Sequence, residues 1–175
     1  MKKGMCILTM ILLLTGLAGC ASGEASPEQM ITAAAQETEA SPEQTDRVIA
    51  FVFQEEKIIP GRSLPAGVAA AAVESTQAAS CVAAGMETLY RYEGFDITVH
   101  NSTGSDPVYS VYFNSSDVST AEGLSIGDSL DTVRDIYGEA DSQGGFTWIY
   151  SDGNADLILL ISEDAVVGIE YRMAS

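Results

Sequence analysis

Beyond residue 47, two hydrophobic periods alternate along this chain. Phe95, Ile97 and Val99 interleave with Asp96, Thr98 and His100. A period of two places the apolar set on one face of a strand and the polar set on the other. Val167, Ile169, Tyr171 and Met173 alternate with Gly168, Glu170 and Arg172 in the same way. Leu157–Ile161 is apolar at every position, which predicts a central strand covered on both faces. The second period is helical. Leu130, Val133, Ile136 and Tyr137 fall on one face of a helix over 130–137. Ser129 can cap its N-terminus, Asp131 in the first turn suits the helix dipole, and Gly138 suits the position after the last turn.

The helical pattern occurs twice. Gly61-Arg-Ser-Leu64 and Gly127-Asp-Ser-Leu130 share Gly-x-Ser-Leu at a spacing of 66 residues. In the first copy Ser63 is the expected cap, Pro65 fits the first turn, and an Ala-rich run carries the helix to Val73. Three strand-like runs follow each copy: Leu89–Tyr92, Phe95–His100 and Val108–Phe113, then Phe146–Tyr150, Asp156–Ser162 and Val166–Met173. Glu93-Gly94, residues 101–107, Ser151-Asp-Gly-Asn154 and Glu163-Asp164 supply the turns. Residues 75–88 read as a long connection, and Val48–Gln54 as a strand ahead of the first helix. These patterns predict an α+β fold: two tandem helix–strand–strand–strand repeats, 47–115 and 116–175, with antiparallel strands and helices packed on one face.

The N-terminal part has another character. Lys2 and Lys3 precede a short apolar run, residues 5–18, which ends in Leu17-Ala18-Gly19-Cys20. The run is shorter than the roughly 20 residues that a spanning helix needs. It resembles a bacterial lipoprotein signal over residues 1–19, which implies cleavage before Cys20 and a lipid on its sulfur. Two or more acyl chains hold a protein stably on a membrane, where one does not. Residues 20–46 then read as the lipidated cysteine and a disordered tether. Glu24-Ala-Ser-Pro-Glu-Gln29 recurs as Glu39-Ala-Ser-Pro-Glu-Gln44, and large apolar side chains are nearly absent. A flexible coil of that length reaches roughly 25–30 Å. The expected location is the cell membrane, lipid-anchored on the extracytoplasmic side.

Charge removes one class of partner. The chain has 8 basic and 25 acidic residues, a formal net charge of −17. Loss of Lys2 and Lys3 with the signal makes it −19. Such a chain lacks the clustered cations that bind nucleic-acid phosphates. It also repels anionic headgroups, so membrane attachment rests on the lipid at Cys20. Of the three cysteines, Cys6 leaves with the signal and Cys20 carries lipid, so Cys81 is the single remaining thiol. Its Ala-Ala-Ser-Cys-Val-Ala-Ala surroundings predict a buried, inert side chain.

Candidate chemistry is sparse. His100 is the only histidine, and its position on the polar side of a strand beside a turn predicts a solvated residue. No nucleophile–base pair, metal cluster or phosphate loop stands out, so the expectation is no enzyme, no cofactor and no metal. Asp152-Gly-Asn154-Ala-Asp156 begins like a calcium loop, with Glu163 at its twelfth position. Leu157 stands where that loop requires glycine, and a hairpin turn explains the same residues. Aromatics offer the one candidate surface. Phe146, Trp148 and Tyr150 alternate on one strand face, as do Tyr90 and Tyr92 at the matching place in the first repeat. They form either a recognition surface or core beneath the helices. Exposed aromatics would favour binding, and packed ones a scaffold role.

Glu122-Gly-Leu-Ser-Ile-Gly-Asp-Ser-Leu-Asp-Thr-Val-Arg-Asp-Ile-Tyr-Gly138 resembles the helix motif of the β-lactamase-inhibitor-protein-like superfamily. Ser80-Cys81, Tyr90-Arg-Tyr-Glu-Gly-Phe95 and Thr120-Ala-Glu-Gly-Leu-Ser-Ile-Gly127 are similar to a group of uncharacterised lipoproteins from Gram-positive bacteria. The resemblance spans about residues 48–173 and implies a fold and a habit of binding, with no catalytic residue. It departs from the pattern at Pro60, where an apolar residue is expected. The expected function is a non-enzymatic binding module for a protein or envelope component. The alternative is a structural or chaperone-like lipoprotein supporting an envelope assembly.

Overall fold

Strands dominate the structure, a computed structural model that describes residues 47–81, 84–101 and 106–174. The signal segment 1–19, Cys20 and the tether to residue 46 lie outside the described residues. The elements run β1 (Phe51–Phe53), β2 (Glu56–Ile58), α1 (Ala66–Ala70), β3 (Glu74–Ala79), β4 (Met86–Arg91), β5 (Phe95–Asn101) and β6 (Val108–Phe113). Then come α2 (Leu130–Tyr137), β7 (Ser142–Gly144), β8 (Thr147–Ser151), β9 (Ala155–Ser162) and β10 (Ala165–Met173). Eight strands form one antiparallel sheet in the order β3-β4-β5-β6-β10-β9-β8-β7, and β1 and β2 form a separate hairpin. Each half of the chain is thus a four-stranded meander, and the halves join through their last strands.

The expected α+β architecture is overturned. The described residues hold two helices, of five and eight residues, against ten strands. Four strands, rather than three, follow each helix. The helices do not form a packed layer: each buries one side chain fully, Val68 in α1 and Val133 in α2. The remaining cover comes from irregular chain and the small hairpin, through Ile49, Phe51, Ile58 and Leu124. Phe51 alone sits within 4.9 Å of the Phe95 ring, 5.1 Å of Phe113 and 6.0 Å of Tyr171.

The second helix forms where its signals placed it. Ser129 accepts the backbone N–H of Thr132 at 3.2 Å, and Gly138 ends the helix at φ 73°, a conformation that suits glycine. The first is shorter than the expected 64–73. Pro65 is its N-cap, with no side-chain cap, and Ser63 instead bridges Pro107. The Gly-x-Ser-Leu stretches still make matching bonds. Gly61 and Arg62 exchange backbone hydrogen bonds with Val108, each 2.8 Å, as Gly127 and Asp128 do with Val166, again 2.8 Å each. Ser129 bridges Ala165 as Ser63 bridges Pro107.

Strand alternation decides the two faces. Ile97, Val111, Tyr171, Leu157 and Tyr150 are register neighbours across five strands and are buried under the cover. Asp96, Tyr112, Glu170, Ile158 and Ile149 form the corresponding row on the other face. A bulge between Val166 and Gly168 breaks the predicted alternation in β10. Val166 takes the buried place and Val167 turns outward.

Candidate functional site

The aromatic residues picked out by the sequence divide between core and surface. Trp148 is 8% exposed and pairs with Leu159 on the covered face, with the Arg134 guanidinium 5.0 Å above its ring. Tyr150 and Tyr92 are also buried, and Tyr90 is half-buried against the same core. Phe146 is the exception, 77% exposed just before β8.

The two buried tyrosines have a structural task. Tyr92 donates its hydroxyl to the Val68 carbonyl at 2.8 Å, and Tyr150 donates to the Gly138 carbonyl at 3.0 Å. Each ties one half of the sheet to the helix above it, and a buried phenol needs such a partner. Burial, with Tyr90 adding a smaller repulsion, pushes the Tyr92 phenol up to about 12. Burial also pushes Tyr150 up to about 12, against the opposing pull of Arg47.

The opposite face of the sheet carries the surface chemistry. None of its side chains belongs to the hydrophobic core cluster, although Ile158 and Ser110 on it are buried. Its central row runs Arg91, Asp96, Tyr112, Glu170, Ile158 and Ile149, and the next runs Leu89, Thr98, Ser110, Arg172, Asp156 and Ser151. Tyr112 is 41% exposed and Leu160 is 37% exposed, with Val167 also exposed. Gly168 lies opposite Leu160, and a Cβ there would come 3.0 Å from its Cδ1, so glycine lets the leucine lie across the strand. Burial pushes the Glu170 carboxyl above its ordinary value, with Arg172 at 3.9 Å pulling the other way.

His100 belongs to this face and is not the solvated residue expected. Its side chain is half-buried, stacked on Tyr109 with ring centroids 4.4 Å apart, and Nε2 lies 3.9 Å from Glu87. The stack arises at a bulge between Thr98 and Val99, which lets Tyr109 come alongside. Sequence reasoning missed Tyr109 and Tyr112 because each sits in a run, Val-Tyr-Ser-Val-Tyr-Phe, that is apolar or aromatic on both faces.

Cys81 and Asp152 are placed by the turns that carry them. Cys81 is exposed rather than buried, because it lies in the turn between β3 and β4, beyond the cover of the core. Asp152 uses its carboxylate on backbone, accepting from Ile49 at 2.9 Å and from Asn154 and Ala155 at 2.8 Å each. Partial burial alone would raise its pKa, but these bonds outweigh burial and hold the carboxyl low. Among the described residues there is no cluster of three or more His, Cys, Asp or Glu able to hold a metal, and no helix is long and apolar enough to cross a membrane. An open pocket of about 450 Å³ is lined by Phe53, Tyr92, Gly94 and Val118 among others and gathers no reactive pair.

The geometry defines an antiparallel-sheet domain with one covered face and one open face. No family model, no curated protein and no solved structure matches this chain.

Proposed function

We propose that this protein is a lipid-anchored, extracytoplasmic binding module that recognises a protein or envelope component without catalysis. The observation that carries the reading is the asymmetry of the sheet. Among the described residues the hydrophobic core lies on one face, while the other presents Tyr112, Leu160 and Val167 around the Glu170–Arg172 pair. An open face of mixed aromatic, aliphatic and charged side chains suits a protein interface. Its register rows hold Glu74, Glu87, Asp96, Asp156 and Glu170 against Arg91 and Arg172, so it favours a partner with basic groups. The anchor rests on Leu17-Ala18-Gly19-Cys20 and the run before it.

A second reading has one observation in its favour. The packing of Trp148, Tyr150 and Tyr92 is what a structural or chaperone-like lipoprotein would show. Capture by the tagged full chain from its native envelope separates the two. Tyr112→Ala and Leu160→Lys should each weaken capture by about 30-fold, near the 2 kcal/mol hot-spot scale, with little change in melting. Capture that is indifferent to both substitutions would refute binding through the open face.

A further inference from the structure

The two edges of the eight-stranded sheet are built differently. β7 is three residues long and ends at Gly144. β3 is six residues long, exposed at every position and paired regularly with β4 at all six. Natural edges are usually blunted by lysine, proline, a bulge or a covering segment. Glu-Ser-Thr-Gln-Ala-Ala has no lysine, proline or bulge, and no described residue pairs with its outer side.

The phase of the ladder shows which backbone groups point outward. Ser80 donates its N–H to Gly85 at 3.0 Å, and on the far side of β4 Tyr92 donates to Phe95 at 2.9 Å. Bonded pairs in an antiparallel ladder recur at every second residue. Glu74, Thr76 and Ala78 therefore bond to β4, and the N–H and C=O groups of Ser75, Gln77 and Ala79 face away from the sheet.

We propose that β3 is a self-pairing edge: two copies of this chain join β3 to β3, antiparallel, across a two-fold axis at Gln77. Such an axis brings the same patch of each copy against the other. With Gln77 on the axis, Ser75 faces Ala79 and Gln77 faces Gln77, and every outward backbone group finds a partner. Centring on Thr76 instead sets Ala79 against Val73, whose N–H is already donated to Arg91 at 2.8 Å. The backbone thus disfavours the Thr76 register, and the side chains agree with the Gln77 one. Thr76 faces Ala78, Glu74 faces Ser80, and no carboxylate opposes another. Glu74 is held by Arg91 of its own copy at 3.2 Å. The Gln77 amide turns back to Thr88 and Asn101, 3.4 Å each, clear of the incoming strand. This inference stands apart from the open-face reading.

The test is the mass of the full chain in non-ionic detergent, by light scattering, from micromolar to millimolar concentration. The wild type should rise toward twice the chain mass. Gln77→Pro removes one outward N–H, and proline is tolerated at such an edge position, so association should fall at least tenfold with melting unchanged. Thr76→Lys combined with Ala78→Lys sets like charges opposite one another across the axis on exposed positions, and should also abolish the dimer. That pair decides the matter if Gln77→Pro proves unstable. A wild type that stays monomeric throughout overturns the proposal, as does a dimer that survives the lysine pair.

Discussion

Replacing Trp148 by alanine tests which face of the sheet is the core. The ring is buried beside Leu159 beneath α2, and Arg134 lies over it. Truncating a buried tryptophan costs about 3–5 kcal/mol, as lost burial plus the cavity left behind. The Arg134 contact adds about 0.5–1 kcal/mol, since that guanidinium is half-exposed. A domain of this kind is stable by only about 5–15 kcal/mol, so the substitution removes a large part of the total. The melting temperature should fall by roughly 10–20 °C at this chain length. Thermal and urea denaturation of Trp148→Ala measure the loss. Capture of a partner, assayed where the variant is still folded, should be unchanged. A loss below about 1 kcal/mol, together with failed capture, would show that Trp148 is a surface hot spot and that the face assignment is reversed.

Two more outcomes follow from the same reading. Cys20→Ser should release the protein from the membrane or leave it unprocessed, and unchanged membrane partitioning with unchanged acyl labelling would refute the anchor. Tyr92 has a folded pKa of about 12 against an ordinary 10.0, so its contribution is fully present below pH 10 and is lost as pH rises toward 12. Tyr92→Phe should flatten that alkaline loss, and at neutral pH it should cost about 1 kcal/mol by removing one of the two hydrogen bonds to the Val68 carbonyl, which keeps the Ala71 N–H.

What the sequence disclosed follows the strength of its physical signals. Phe95, Ile97 and Val99 are buried and their neighbours half-buried, because alternation in a strand covered on one face admits only one register. The helix at 130–137 was equally legible, since cap, dipole and stop signals coincide there. β3 left no trace. Glu-Ser-Thr-Gln-Ala-Ala has no large apolar residue because an exposed edge strand needs none, so residues 75–88 read as connection. β7 was hidden for the same reason. The first helix was overextended because alanine favours helix anywhere, whereas the chain leaves the helix at Ala71 and carries an exposed Val73 into β3. Local propensity also says nothing about which layer covers a sheet. That is why the sequence pattern presents the hairpin at Phe51 as a single strand and overstates the part of the helices.

The aromatic alternation shows how a packing demand can imitate a binding surface. Short helices and irregular chain over a sheet leave carbonyls near the core that no helical turn satisfies. Gly138 presents one of them above the second half of the sheet, while the Val68 carbonyl above the first already accepts the Ala71 N–H at 3.0 Å and takes a second bond from Tyr92. A tyrosine rising from a strand fills space with its ring and satisfies the carbonyl with its hydroxyl, which phenylalanine cannot do. Tyr150 therefore answers the thinness of the cover above its half of the sheet, and Tyr92 adds a second bond at the matching place in the other half. The demand falls only on the covered face, so it explains nothing about Tyr112, whose ring reaches solvent on the other side. The proposed recognition through the open face would give that ring a use.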